Sequence, residues 1–149
     1  MPSFRLNEIA RYKKKFLFIL IFVSLNYENL SYTDETEFDE LEVGQQSVVY
    51  AIVIMNGTQW YLIDFEQLTH PMFYPKAFFK IEDWRISKYW VAKEQQDEYD
   101  NNNLVLNFSF PEFLDDEYFY GELLEDNPKQ LAIFRKYQTL LRNEFVSKF

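Results

Sequence analysis

Cysteine is absent from this 149-residue chain, and that one absence removes disulfides, thiolate zinc sites and thiol nucleophiles together. Histidine occurs once, at His70. A Ser–His–acid relay would have to pass through that residue, which sits between Thr69 and Pro71 in a loop-like setting, and no Gly-x-Ser-x-Gly elbow accompanies it. Glycine is almost missing, with only Gly44, Gly57 and Gly121, so no phosphate-cradling glycine loop can be built. Basic charge is in deficit: 15 Lys and Arg stand against 24 Asp and Glu, for a formal net charge of −9. Such a chain repels nucleic-acid phosphates and anionic membrane surfaces and attracts basic partners. The absence of cysteine fits a reducing cytoplasm.

Apolar residues are plentiful, at 48 %, and aromatics are in excess, with 16 Phe, 11 Tyr and 3 Trp. A chain of this length is expected to form one domain over residues 1–149 and to bury about two-thirds of its unfolded surface. One run of eight large apolar residues, Phe16 to Val23, follows Lys13, Lys14 and Lys15 and invites comparison with a secretion signal over about residues 1–25. After Val23, however, come Ser24, Leu25, Asn26 and Tyr27, without the small-residue spacing that a signal peptidase reads. The run is also about half the length of a membrane span. A strand buried on both faces is the better expectation, and with it a cytoplasmic rather than a periplasmic protein.

The clearest local signal is SVVYAIVIM-NG-TQWYLIDF. Asn56-Gly57 between two β-favouring runs predicts a type I′ hairpin, with Met55 opposite Thr58 and Val53 opposite Trp60. The first of these strands is apolar on both faces and is expected at the centre of a sheet. EQLTHPMFYPK, with two prolines, reads as a loop; FFKI reads as a short strand; IEDWRISKYWVAK reads as a strand entered at Glu82-Asp83. EQQDEYDNNN reads as an exposed loop and LVLNFSF as a half-buried strand. Upstream, Asn7 to Lys15 suits a short amphipathic helix.

Beyond LVLNFSF the pattern becomes helical. Ser109 and Glu112 match a capping box around Pro111, and PEFLDDEYFYGELL predicts one helix or two short ones. Asn127-Pro128 predicts the start of a last helix, whose Leu131, Phe134, Tyr137, Leu141 and Phe145 share one face. The expected fold class is α+β: a mostly antiparallel sheet of about five strands with C-terminal helices packed on one face.

Neither a catalytic residue set nor a cofactor or metal site is expected. Asp115, Asp116 and Glu117 are contiguous and fan apart on a helix, and the pair Asp64 and Glu66, the basis of a carboxylate hydrolase as an alternative, is a spacing that chance supplies often. The sequons at Asn29, Asn56 and Asn107 matter only in a secretory pathway. The feature with most functional content is acidic: Asp34, Glu35, Glu37, Asp39, Glu40 and Glu42 surround Phe38 and Leu41. Hydrophobic anchors inside a charged rim are the anatomy of an electrostatically steered protein interface. Asp97, Glu98, Tyr99 and Asp100 form a second candidate of the same kind.

KIEDWRISKYWVAK, FSFPEFLDDEYFYGELL and IFRKYQTLLRNEF resemble, in general style, segments of the small acidic immunity proteins that bacteria encode beside polymorphic or contact-dependent toxins. That resemblance implies a non-enzymatic protein that binds one basic toxin domain, such as a nuclease, and blocks it. The two acidic segments are then the expected partner-binding residues. An exported, envelope-associated protein is the alternative if residues 1–25 are an address.

Overall fold

The computed structural model describes residues 20–23, 45–65, 68–81, 85–97 and 103–146. Eight strands are present among them: β1 (Leu20–Val23), β2 (Gln46–Val48), β3 (Ala51–Met55), β4 (Thr58–Ile63), β5 (Met72–Pro75), β6 (Phe79–Ile81), β7 (Val91–Gln96) and β8 (Leu104–Ser109). Three helices follow, α1 (Pro111–Asp115), α2 (Phe119–Leu124) and α3 (Pro128–Val146), and a 3-10 turn spans Lys76–Phe78. The expected α+β architecture is present: an antiparallel five-stranded sheet, in the order β5-β4-β3-β8-β7, carries the helices on one face. A smaller sheet, β2-β1-β6, supplies Phe79 and Ile81 to the core on the other.

The sheet grows from the Asn56-Gly57 hairpin. Both residues adopt positive φ, +51° and +76°, as a type I′ turn demands, and Met55 pairs with Thr58 and Val53 with Trp60. Strand β3 lies in the middle of the five. Within the lysine-flanked hydrophobic run, residues 20–23 form the central strand of the smaller sheet, where Leu20 pairs with Val48 and Ile21 with Ile81. The rest of that run, the expected helix over 7–15 and the acidic connection over 31–44 lie outside the described residues.

The segment SVVYAIVIM is not one strand, as its composition suggests, but two in different sheets. The break is a bulge. Ala51 pairs with Leu62, yet the Tyr50 N–H also donates to Leu62 O at 2.9 Å, so two residues oppose one. Tyr50 and Ala51 consequently both face the helices, and strict alternation is lost there. Beyond the bulge, Ile52 and Ile54 join Tyr61, Ile63 and Tyr74 in the opposite core.

Three further expectations need correction. The proline-bearing loop over 66–76 contains β5, an edge strand that ends in Pro75; edges tolerate proline because one side of the strand has no ladder to lose. IEDWRISKYWVAK is strand only from Val91, since Ser87 to Trp90 form a turn closed by Trp90 N–H to Ser87 O at 3.2 Å. Strand β7 then runs on through Glu94, Gln95 and Gln96, which were expected in the exposed loop. All six of its residues are exposed, so neither face carries the apolar pattern that marks a strand in sequence.

The helical layer follows the sequence closely. Asn127 caps α3, its Oδ1 accepting from Lys129 N–H at 3.1 Å. Phe134 and Leu141 are fully buried along the predicted face, and Tyr137 nearly so. The capping box does not form. Phe110 occupies the cap position, the Ser109 hydroxyl donates to Tyr50 O at 2.7 Å, and Glu112 accepts from the Tyr137 hydroxyl at 3.0 Å. Both polar groups therefore tie α1 to other elements instead of to its own first turn. Phe110 is the hub of the layer, stacked on Tyr137 at 4.1 Å between ring centroids and meeting Phe113 and Phe119 edge-on.

Candidate binding surface

The best-connected polar cluster lies where the end of β4 meets α3. Asp64 Oδ2 accepts from Arg135 Nη1 at 2.8 Å and from Gln138 Nε2 at 2.6 Å, while Arg135 also donates to Gln138 Oε1 at 2.6 Å. The triangle closes on itself. Beneath it the Tyr50 phenol is raised above its usual pKa, chiefly by burial, with Arg142 and Gln138 opposing that rise. This constellation superficially resembles a tyrosine–carboxylate–arginine site. Its geometry instead bridges sheet and helix, because each atom of the triangle already meets a partner belonging to the fold. Asp64 is thus engaged with α3, and Glu66, with which it was paired in the hydrolase reading, is outside the described residues.

Other polar groups serve the same end. Glu144 receives the Ser87 hydroxyl at 2.6 Å and the Lys88 N–H at 2.8 Å, fixing the turn before β7 to the last helix. His70 Nε2 lies 3.0 Å from Asp126 Oδ1, joining the β4–β5 connection to the turn between α2 and α3. Asp116 Oδ1 accepts from Tyr118 N–H at 3.0 Å at the junction of α1 and α2, so the acidic triplet runs from the last residue of α1 into the turn before α2 instead of fanning over one helix. Among the described residues no three His, Asp or Glu side chains converge as metal ligands, and no helix is long and apolar enough to cross a membrane.

The expected partner-binding residues are divided by the structure. Asp34, Glu35, Glu37, Phe38, Asp39, Glu40 and Glu42 are outside the described residues, as are Glu98, Tyr99 and Asp100. Asp97 is described and is only 8 % exposed; its N–H donates to Asn103 O at 3.0 Å and closes the approach to β8. It is a boundary residue of the sheet, not an open acid.

What the sequence did not disclose is the full length of β7, of which it marked Val91 to Lys93 as strand and Glu94 to Gln96 as loop. It forms one edge of the five-stranded sheet, pairing with β8 in unbroken register from Val91 opposite Ser109 to Gln96 opposite Leu104. Lys93 is its only cation, and its Nζ donates to Leu114 O at 3.0 Å near the end of α1, where helix carbonyls lack intrahelical partners. Glu94 is its only acid. Exposed Val91 and Leu104 flank it at opposite ends. VAKEQQ has no alternation of apolar and polar residues, so a period-two pattern could not mark its whole length; the inward lysine is the one edge-like feature it carries. No protein-family model, curated protein or solved structure matches the chain.

Proposed function

We propose that this chain is a binding protein for a basic protein partner, acting in the manner of a bacterial immunity protein that neutralises a toxin domain in the cytoplasm. The single observation that carries the reading is the charge: −9 overall, with six acids packed into residues 34–42 around Phe38 and Leu41. A surface of that kind steers a cationic partner into encounter and then holds it by desolvated aromatic and aliphatic contacts. The resemblance of KIEDWRISKYWVAK and its companion segments to immunity proteins points the same way.

The test is protection and kinetics together. Where the neighbouring gene encodes a basic toxin domain, co-expression of this chain with that domain is expected to rescue growth. The association rate of the purified pair is expected to fall steeply with added salt, and replacing Glu37, Asp39 and Glu40 together by lysine is expected to slow association about tenfold or more. An association rate indifferent to salt and to the triple substitution would refute the acidic segment as the steering surface.

A further inference from the structure

The hairpin at Asn56-Gly57 fixes which backbone groups of the sheet point where. Its flanking residues, Met55 and Thr58, form a pair that exchanges both hydrogen bonds, and such pairs alternate along every antiparallel ladder. Met55, Val53 and Ala51 therefore bond toward β4, and Ile54 and Ile52 toward β8. Leu106 and Phe108 answer them, which leaves Val105, Asn107 and Ser109 bonding toward β7 at Gln95, Lys93 and Val91. The Asp97 N–H to Asn103 O bond, at 3.0 Å, continues that phase from the other end. Two independent starting points agree. The N–H and C=O groups of Ala92, Glu94 and Gln96 consequently face outward, away from β8.

The two edges of the sheet differ in kind. On β5 the same phase turns Phe73 and Pro75 outward, and Pro75 has no N–H to offer. On β7 the outward residues form an unbroken row of three donors and three acceptors, and every residue of the strand is exposed. A row of this kind is complementary to one thing, another extended chain.

Two occupants are conceivable, and charge separates them. A second copy would add its own β7 across a two-fold axis normal to the sheet. The register that satisfies all of Ala92, Glu94 and Gln96 then sets Glu94 against the second copy's Glu94; of the two registers beside it, one sets Lys93 against its counterpart and the other sets Gln95 against its counterpart and gives up the bonds of Ala92. The full register therefore faces like charges, and every register joins two chains of net charge −9 each. An extended segment from a cationic protein meets the opposite situation, because Lys93 is tied to Leu114 O on the helix side and Glu94, exposed on the other face of the sheet, is the charge that a neighbouring strand's side chain would meet. We infer that β7 is the docking edge for a β-strand of a basic protein partner, which extends the five-stranded sheet by one strand with a lysine or arginine beside Glu94. This rests on the reading of the chain as a binder of a basic partner, and it names the means of engagement.

The test uses the intact protein and a short capped peptide of alternating lysine and valine, with a glutamate–valine peptide as control, followed by amide-resolved hydrogen exchange. The lysine–valine peptide is expected to slow exchange at Ala92, Glu94 and Gln96 about tenfold, while Val91, Lys93 and Gln95, already bonded to β8, change little. Glu94→Pro removes one outward donor and no bond to β8, so it is expected to stay folded and to weaken the peptide about tenfold. Glu94→Lys leaves the backbone intact and is expected to transfer the preference to the glutamate–valine peptide. Peptide binding without protection at those three amides would overturn the inference, as would an unchanged preference in Glu94→Lys. Protection of the same amides in a dimer without peptide would assign the edge to a second copy instead. Substituting Glu37, Asp39 and Glu40 leaves β7 untouched, so failure here and failure of the acidic segment are read separately.

Discussion

Glu112 and Tyr137 show how a single residue is diverted from its local role. Three residues after Ser109, Glu112 has the spacing of a capping box, but its Oε1 accepts from the Tyr137 hydroxyl and its Oε2 is buried with no hydrogen-bond partner among the described residues. Burial and this carboxylate together push the Tyr137 phenol up to about 12. Tyr137→Phe removes the hydroxyl that donates to that carboxylate and is expected to cost about 1–3 kcal/mol in denaturant unfolding. Adding Glu112→Leu to it is expected to recover much of the loss, because an apolar pair leaves no unsatisfied group. Asn127 is the opposite case, a residue whose local signal survives folding intact. Asn127→Ala is expected to cost about 1 kcal/mol, read from the unfolding midpoint.

At the scale of elements, aromatic packing decides how the short helices are held. Alone, α1 and α2 are too short to persist in water, and they stay folded because Phe110, Phe113 and Phe119 interlock against α3. Phe110→Ala opens a cavity at the point where four rings meet and is expected to cost about 3–5 kcal/mol. Calorimetry of that variant is expected to show the transition lowered as one event if α1 and α2 melt with the sheet. The bulge at Tyr50 and Ala51 is the second decisive element. It ends one strand, begins another and aims two successive side chains at the helices. The Ser109 hydroxyl on Tyr50 O completes it, so Ser109→Ala is expected to destabilise by about 1 kcal/mol with no change in net charge.

For the molecule as a whole, alkaline pH is the informative variable. The phenols of Tyr50, Tyr120 and Tyr137 are all raised above 10.0, with burial the largest cause in each, and those of Tyr120 and Tyr137 reach about 12. A raised phenol keeps its proton in the folded state after the unfolded chain has lost it, so the folded state binds more protons between those values. Their contribution is present in full below pH 10.0 and is lost as pH rises toward about 12. Urea unfolding followed with pH is expected to show a plateau and then a fall across that window. Absorbance titration is expected to show a late group of tyrosines that ionises together with unfolding.

Local chemistry alone determined a good part of this protein. Asn56-Gly57 can form a tight turn only with both residues at positive φ, and that requirement set a register which the tertiary structure kept. Asn127-Pro128 and the spacing of Phe134, Tyr137 and Leu141 likewise dictated the last helix. Those features depend on contacts between near neighbours. Where the outcome turned on distant partners, local pattern was insufficient: Glu112 answers to Tyr137, Ser109 to Tyr50, and Pro75 is tolerated because β5 falls at an edge. Strand β7 is the sharpest instance. Its second half, Glu94 to Gln96, has no apolar residue to announce it, and it is strand because β8 offers hydrogen bonds along its whole length. Only the assembled sheet could decide that this segment is an edge, because an edge is defined by the neighbour it has and the one it lacks.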